Sequence, residues 1–150
     1  MVSKALFSSK SSEWETPQDL FDQLNEEFNF TLDAAASPGN AKCSKYYTEE
    51  ENALVQDWGQ HTAWLNPPYG REVGRWTEKS YKESLKGATV VMLLPARTDT
   101  RYFHSWVIGK AEIRFIKGRL KFGGSKNSAP FPSMLVIYRP LGSYEVKMGG

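Results

Sequence analysis

Residues 88–94, Ala-Thr-Val-Val-Met-Leu-Leu, form an apolar run closed by Gly87 on one side and Pro95 on the other. A run with so little polar alternation is buried on both faces, the place of an inner strand in a sheet covered by helices. The flanking segments agree. Thr16-Pro17-Gln18-Asp19 reads as a helix start, with Thr16 as the cap, Pro17 at the first helical position and Asp19 at the positive end. Leu20, Phe21, Leu24 and Phe28 follow at helical spacing. Phe30 to Asp33 is a short strand and Ala34 to Asn40 a small-residue turn; His61 to Leu65 is a second strand. A helix is predicted from about Glu72 to Lys86, ended by Gly87. Beyond Pro95 come a helix near Thr100–Ile108, a long strand over Ala111–Phe122, a Gly/Ser/Asn loop over 123–132 and a last strand, Ser133–Tyr138. Residues 41–58 read less sharply: Tyr46-Tyr47 as a short strand, Glu50–Trp58 as a turn of helix or another strand. Alternation of strands and helices, then two strands joined directly, predicts an α/β fold whose mostly parallel sheet carries an antiparallel edge strand. All 150 residues form one domain, with the unpatterned Ser/Lys-rich stretch Met1–Ser12 as a loose arm.

Composition removes several classes of function. An apolar share of 40% with 24% charged residues is that of a soluble globular chain. No apolar run reaches the roughly 18 residues of a membrane helix, and Met1–Ser12 lacks the apolar core and small-residue cleavage site of a secretion signal. The single cysteine, Cys43, forms no internal disulfide and fits a reducing cytoplasm. His61 and His104 stand far from it in sequence, without zinc-ligand spacing, so no metal is expected. Charge is unevenly divided. Residues 1–60 hold 11 acidic and 4 basic side chains, whereas residues 61–150 hold 6 acidic and 15 basic. Such a split fits one surface facing a polyanion, but solvated helix faces are often lopsided, and it gains meaning only beside a motif.

That motif is Asn66-Pro67-Pro68-Tyr69, at the end of the predicted strand His61–Leu65. A bare Pro-Pro would merely end a strand. In this context the four residues resemble the Asp/Asn-Pro-Pro-Tyr/Phe motif of the amino-methyltransferases. The chemistry explains the residue types. An exocyclic adenine amine is a poor nucleophile, because its lone pair is delocalised into the ring. The side-chain oxygen of Asn66 and the carbonyl of Pro67 each accept one amine hydrogen, and both bonds strengthen as the nitrogen becomes tetrahedral and positive. Pro67 and Pro68 fix two backbone angles and offer no N–H, which keeps the carbonyl rigid and unopposed. Tyr69 gives the base a flat face. No general base is needed before transfer, since the proton leaves an already cationic nitrogen; the rest is alignment.

The same resemblance implies S-adenosylmethionine as methyl donor and a pocket for it beside the motif, where parallel strands end. Glu15-Thr16-Pro17 looks like the N-terminal cofactor element, with Thr16 on the methionine carboxylate and the helix start opened by Pro17 assisting. Leu32-Asp33-Ala34-Ala35-Ala36-Ser37 stands where the family usually has an acid and a glycine-rich turn; Asp33 would favour the cationic part of the donor. Here Ala34 and Ala35 replace glycine, and with no pyrophosphate to approach, alanine is the next smallest choice. Asp57, ahead of the catalytic strand, is either the acid for the adenosine part or a surface acid beside Trp58. Trp14 either covers the donor or anchors the arm.

An amine inside a duplex cannot be stacked on Tyr69 and approached in line, so the nucleotide must be extruded. Ala129-Pro130-Phe131-Pro132 supplies the aromatic expected against the flipped base, Phe131, with Phe122 as the alternative. Arg71, Arg75, Arg97, Arg101, Lys121 and Lys126 are placed to meet phosphates. Asn127 and Arg97 are candidate base readers.

From Trp14 to Arg139 the sequence is similar to the compact phage-type DNA adenine methyltransferases, the Dam-like family. Its stretches Thr16–Phe21, Leu32–Ala36, Trp64–Gly70 and Ser128–Ser133 carry the likeness. This implies a reduced Rossmann-like methyltransferase fold, a monomer acting on double-stranded DNA in the cytoplasm of an infected bacterium, and a GATC target. Two other readings share the motif. Methyltransferases for protein glutamine and for guanine in ribosomal RNA also use it, though with an additional N-terminal domain. A catalytically silent DNA-binding module is the other, motivated by the turn without glycine. The enzymatic reading requires Asn66 and Pro67 to face a cavity able to hold a base and a donor.

Overall fold

The computed structural model describes residues 14–123 and 125–141. The arm expected over Met1–Ser12 lies outside them. Helix α1 spans Gln18–Phe28 and α2 spans Val73–Leu85. The strands are β1 (Leu32–Asp33), β2 (Thr62–Leu65), β3 (Thr89–Pro95), β4 (Glu112–Phe115) and β5 (Ser133–Tyr138). Among the described residues they form one sheet in the order β1-β2-β3-β5-β4.

The apolar run is the middle strand. β3 pairs in parallel with β2 (Ala63 opposite Val90) and antiparallel with β5 (Pro95 opposite Ser133). Its alternate residues feed two cores. Val90, Met92 and Leu94 pack with Val73 and Trp76 of α2 and with Phe103 and Val107. Val91 and Leu93 pack with Phe21 and Leu24 of α1 and with Phe122 and Phe131. Helices thus cover both faces, which is why no polar alternation survives in this strand.

The sheet departs from expectation in one respect. β1, β2, β3 and β4 run the same way and β5 alone is reversed, yet β5 lies inside the sheet and β4 forms the edge. Burial decides this order. Every residue of Ser133–Tyr138 is buried, whereas Glu112–Phe115 is half-buried to exposed, so the less apolar strand takes the open side. The strand expected to continue to Phe122 stops at Phe115, and Gly118, at φ 77°, turns the chain away.

Three local readings also shift. Thr16 is not the cap of α1: Pro17, at φ −59° and ψ 131°, occupies the cap position instead of the first helical one, and no side chain caps it. The expected helix near Thr100–Ile108 is a short helical stretch whose turn Phe103–Val107 is widened to the i→i+5 pattern. Tyr46 makes an isolated parallel bridge to Asp33, and Ala53–Val55 is a single 3-10 turn. Gly87, at φ 120°, ends α2 as expected.

Candidate active site

Because β5 is reversed, its start lies at the same edge of the sheet as the ends of β2 and β3. The segments after Asp33, Leu65 and Pro95 therefore meet the one before Ser133. This is the edge of an open α/β sheet where ligands bind. A cavity of about 790 Å³ opens there, lined by Thr16, Asp33 to Ser37, Asn66, Pro67 and Pro68 among others. Its size suits a nucleoside-sized ligand.

Asn66 is clamped on both sides. Its Nδ2 donates to the Trp14 carbonyl at 2.6 Å and to Thr16 Oγ1 at 3.1 Å. Its Oδ1 lies 2.8 Å from the Tyr69 hydroxyl, which also lies 3.2 Å from the Leu93 carbonyl. A carbonyl oxygen has two lone pairs, so Oδ1 keeps one for a further donor. Burial pushes the Tyr69 phenol far above its usual range, with Tyr102 adding to the effect, so Tyr69 stays neutral and donates. The segment holding Asn66 is itself pinned: Gly123 N–H donates to the Glu15 carbonyl at 2.9 Å. A Cβ on Gly123 would stand 2.8 Å from that of Glu15, so only glycine admits this approach.

Asp33 builds the opposite wall. It is 3% exposed, and its carboxylate accepts from Lys42 N–H at 2.9 Å and Ala35 N–H at 3.4 Å. The Tyr47 N–H bonds the Asp33 carbonyl and the Asp33 N–H bonds the Lys45 carbonyl, which ties residues 42–47 to β1. Burial raises the Asp33 carboxyl to about 6 against the two N–H bonds and Lys42, which pull it down. A cation in the cavity would stabilise its charged form.

Beside Asn66 stands an aromatic cluster. The Trp14 indole stacks on Tyr69, with ring centres 6.5 Å apart and planes at 30°. Phe131 and Phe122 meet Trp14 edge-on, at 5.1 and 5.4 Å. Both phenylalanines are buried and also meet Tyr69 edge-on. Trp14 thus lies against the flat face foreseen on Tyr69, and of this cluster only Trp14 lines the cavity; Tyr69, Phe122 and Phe131 pack behind it.

Residues 3–148 match the family described as DNA N-6-adenine-methyltransferase (Dam). The chain belongs to this Dam family. It is similar to a DNA N-6-adenine-methyltransferase of Haemophilus phage HP1, 32% identical over 139 residues that cover 87% of this chain and 80% of that protein. A second relative, from Escherichia phage T1 and of the same name, is 36% identical over 109 residues, or 71% of this chain and 45% of that protein. The family expected from the motifs is borne out, and the chain is an adenine-specific DNA methyltransferase.

Within this Dam-family site, the residues singled out from the sequence divide. Trp14, Thr16, Asp33, Ala34, Ala35, Asn66, Pro67 and Pro68 line the cavity. Asp57 is absent from its lining: exposed, it bonds Gly59 N–H at 2.8 Å and lies 3.8 Å from Lys86. Pro17 sits behind Thr16 as the helix cap. Arg71, Arg97, Arg101, Lys121, Lys126 and Asn127 are exposed, and Arg75 lines the cavity while pairing with Glu72.

Several lining residues were not foreseen. Trp64 gives its indole N–H to Thr16 Oγ1 at 3.1 Å; its position two residues before Asn66, on one face of β2, was the available signal. Lys42, Glu49 and Asn52 come from a stretch without periodicity, folded over the cavity by the backbone bonds of Asp33. Among the described residues no three His, Cys, Asp or Glu gather to hold a metal ion, and no helix is long and apolar enough to cross a membrane.

Proposed function

We propose that the chain transfers a methyl group from S-adenosylmethionine to the exocyclic nitrogen of an adenine turned out of duplex DNA, within a reduced Rossmann-like fold. One observation carries this reading: Asn66 and Pro67 border the same cavity as Thr16 and Asp33, with an acceptor lone pair of Asn66 left unspent. The residues present fit the donor. Asp33 offers buried negative charge to a cationic centre, Thr16 a hydroxyl to a carboxylate, and Ala34 and Ala35 leave room for both. When bound, S-adenosylmethionine would supply an electrophilic methyl group on a positively charged sulfur, which would keep the electron pair of the broken S–CH3 bond and leave as the neutral thioether of S-adenosylhomocysteine.

The protein's share is orientation and charge placement. Asn66 Oδ1 and the Pro67 carbonyl each accept an amine hydrogen, rotating the nitrogen lone pair out of conjugation. As the N–CH3 bond forms the nitrogen turns cationic, and both acceptors tighten on it. One proton then leaves to solvent. Family membership favours DNA adenine over the protein glutamine and RNA guanine considered for the motif. The cavity beside an intact Asn66–Tyr69 argues against a silent module.

Base entry requires the Trp14 indole to leave the face of Tyr69, since base and indole compete for one surface. Phe131 then borders the base edge-on, and the positive loops after β2 and β3 and before β5 receive phosphates: Arg71, Arg97 and Lys126, with Asn127 beside them. The unpaired Cys43 and a DNA substrate both fit action in the bacterial cytoplasm. The chain would act as a monomer, and GATC is the target to test first.

Purified protein is incubated with labelled donor and duplex DNA with or without GATC, and DNA from expressing cells is digested with methylation-sensitive enzymes. Incorporation into adenine supports the reading. Donor binding without transfer to any duplex would overturn it.

A further inference from the structure

The hydrogen bonds around Thr16 run in fixed directions. Asn66 Nδ2 faces the Trp14 carbonyl at 2.6 Å. A carbonyl only accepts, so turning the amide over would bring two acceptor oxygens together at that spacing. The amide hydrogen given to Thr16 Oγ1 at 3.1 Å is therefore also fixed in direction. The indole N–H of Trp64, a group that only donates, reaches the same oxygen at 3.1 Å. Both lone pairs of the Thr16 hydroxyl are thus taken, and its own hydrogen goes to neither neighbour. Thr16 is 6% exposed and lines the cavity. Among the described residues none accepts that hydrogen.

We propose that Thr16 is a positioning residue for methyl transfer as well as an anchor for the donor. Its hydrogen goes to an oxygen of the methyl donor, while its lone pairs hold Trp64 and the Asn66 amide. The donor's seat and the base-activating oxygen are thereby aligned through one hydroxyl. This rests on the donor-and-adenine reading above. The alternative is an anchor alone, which would leave the chemical step untouched once the donor saturates.

The test compares Thr16→Val, of similar shape but without the hydroxyl, with Thr16→Ser, which keeps it. Steady-state transfer to duplex DNA is measured at saturating donor, and binding of S-adenosylhomocysteine by calorimetry. Loss of one hydrogen bond corresponds to about tenfold, so Thr16→Val is expected to lower kcat by about tenfold or more and to weaken product binding. Thr16→Ser is expected to restore both to within about threefold. An unchanged kcat in Thr16→Val, with only the KM for donor raised, would overturn the proposal. So would an equal loss in both variants, because the effect would then follow shape. If Thr16→Val does not fold, Thr16→Cys replaces it, since a thiol fills similar space but accepts weakly. Failure of the wild-type chain to methylate any duplex while still binding S-adenosylhomocysteine would instead count against the functional reading.

Discussion

At Asn66 the amide nitrogen is spent on holding the chain, through Trp14 and Thr16, and the oxygen, bonded by the Tyr69 hydroxyl, keeps a lone pair for the amine in the proposed reaction. Asn66→Ala is therefore expected to lower kcat by at least about 100-fold, the size of losing one preorganised partner of developing charge. Calorimetry should find donor affinity little changed; a parallel loss of both would make Asn66 a structural residue. Asp33 sets a pH dependence. Its carboxyl titrates at about 6 in the folded chain against an ordinary 3.8, because burial disfavours the charge. Between those values the folded form binds the extra proton, so Asp33 weakens stability as pH rises, and its cost is complete above about 6. A cationic ligand reverses the preference. Affinity for S-adenosylmethionine should climb as pH rises through about 6 and then level off, with a flatter profile for S-adenosylhomocysteine, which lacks the sulfonium charge. The same slope in Asp33→Asn would dismiss Asp33 as the group responsible. Trp14 should move. The tryptophan emission that disappears in Trp14→Phe is expected to shift to longer wavelength and become quenchable by acrylamide when target DNA binds; an unshifted signal would mean that the base is stacked elsewhere.

Among the elements, α2 bears on the site from a distance. Glu83, 2% exposed on this helix, accepts from the Trp58 N–H at 2.7 Å and pairs with Lys79 at 3.0 Å and Lys86 at 2.9 Å. These bonds tie the chain entering β2 to the helix that follows the motif. Burial raises the carboxyl, but Lys86, the Trp58 N–H and Lys79 outweigh it and hold Glu83 below its ordinary value. Its stabilising effect is thus present at neutral pH and fades as acid titrates it. Glu83→Ala leaves a buried N–H without its acceptor and should cost about 2–3 kcal/mol in urea unfolding. Activity per folded molecule at low temperature should remain near wild type, since no atom of Glu83 lines the cavity. On the other side of the sheet, Arg114 grips Glu27 of α1 through two bonds of 2.8 Å and Glu112 through one of 2.6 Å, fastening helix to edge strand.

For the whole molecule, the charge division acquires a location. The loops after β2 and β3 and the one before β5 belong to a single edge of the sheet, and Arg71, Arg97 and Lys126 are exposed on them. Acidic residues Glu49 and Glu50 line the cavity itself. Binding to duplex DNA should weaken steeply with salt, and Arg71→Ala and Arg97→Ala should each lower the slope of log affinity against log salt by about 1. If Arg97→Ala instead changes which sequences are methylated at constant slope, Arg97 reads bases.

Much of this was legible in the chain itself. The unalternating run 88–94 placed a middle strand, Gly87 ended a helix, and Asn66-Pro67-Pro68-Tyr69 named the chemistry, because each depends on local geometry or on residue type at fixed spacing. Three things depended on tertiary structure. Which of β4 and β5 lies at the edge follows from how much apolar surface the finished sheet covers, a quantity no short segment carries. Asp57 and Glu49 are both acids near a turn, and only the backbone bonds of Asp33 bring one stretch over the cavity and leave the other outside. Thr16 had the local signature of a helix cap, yet its hydroxyl serves Trp64 and Asn66, 48 and 50 residues away, because hydrogen bonds are chosen by what folding brings within 3 Å.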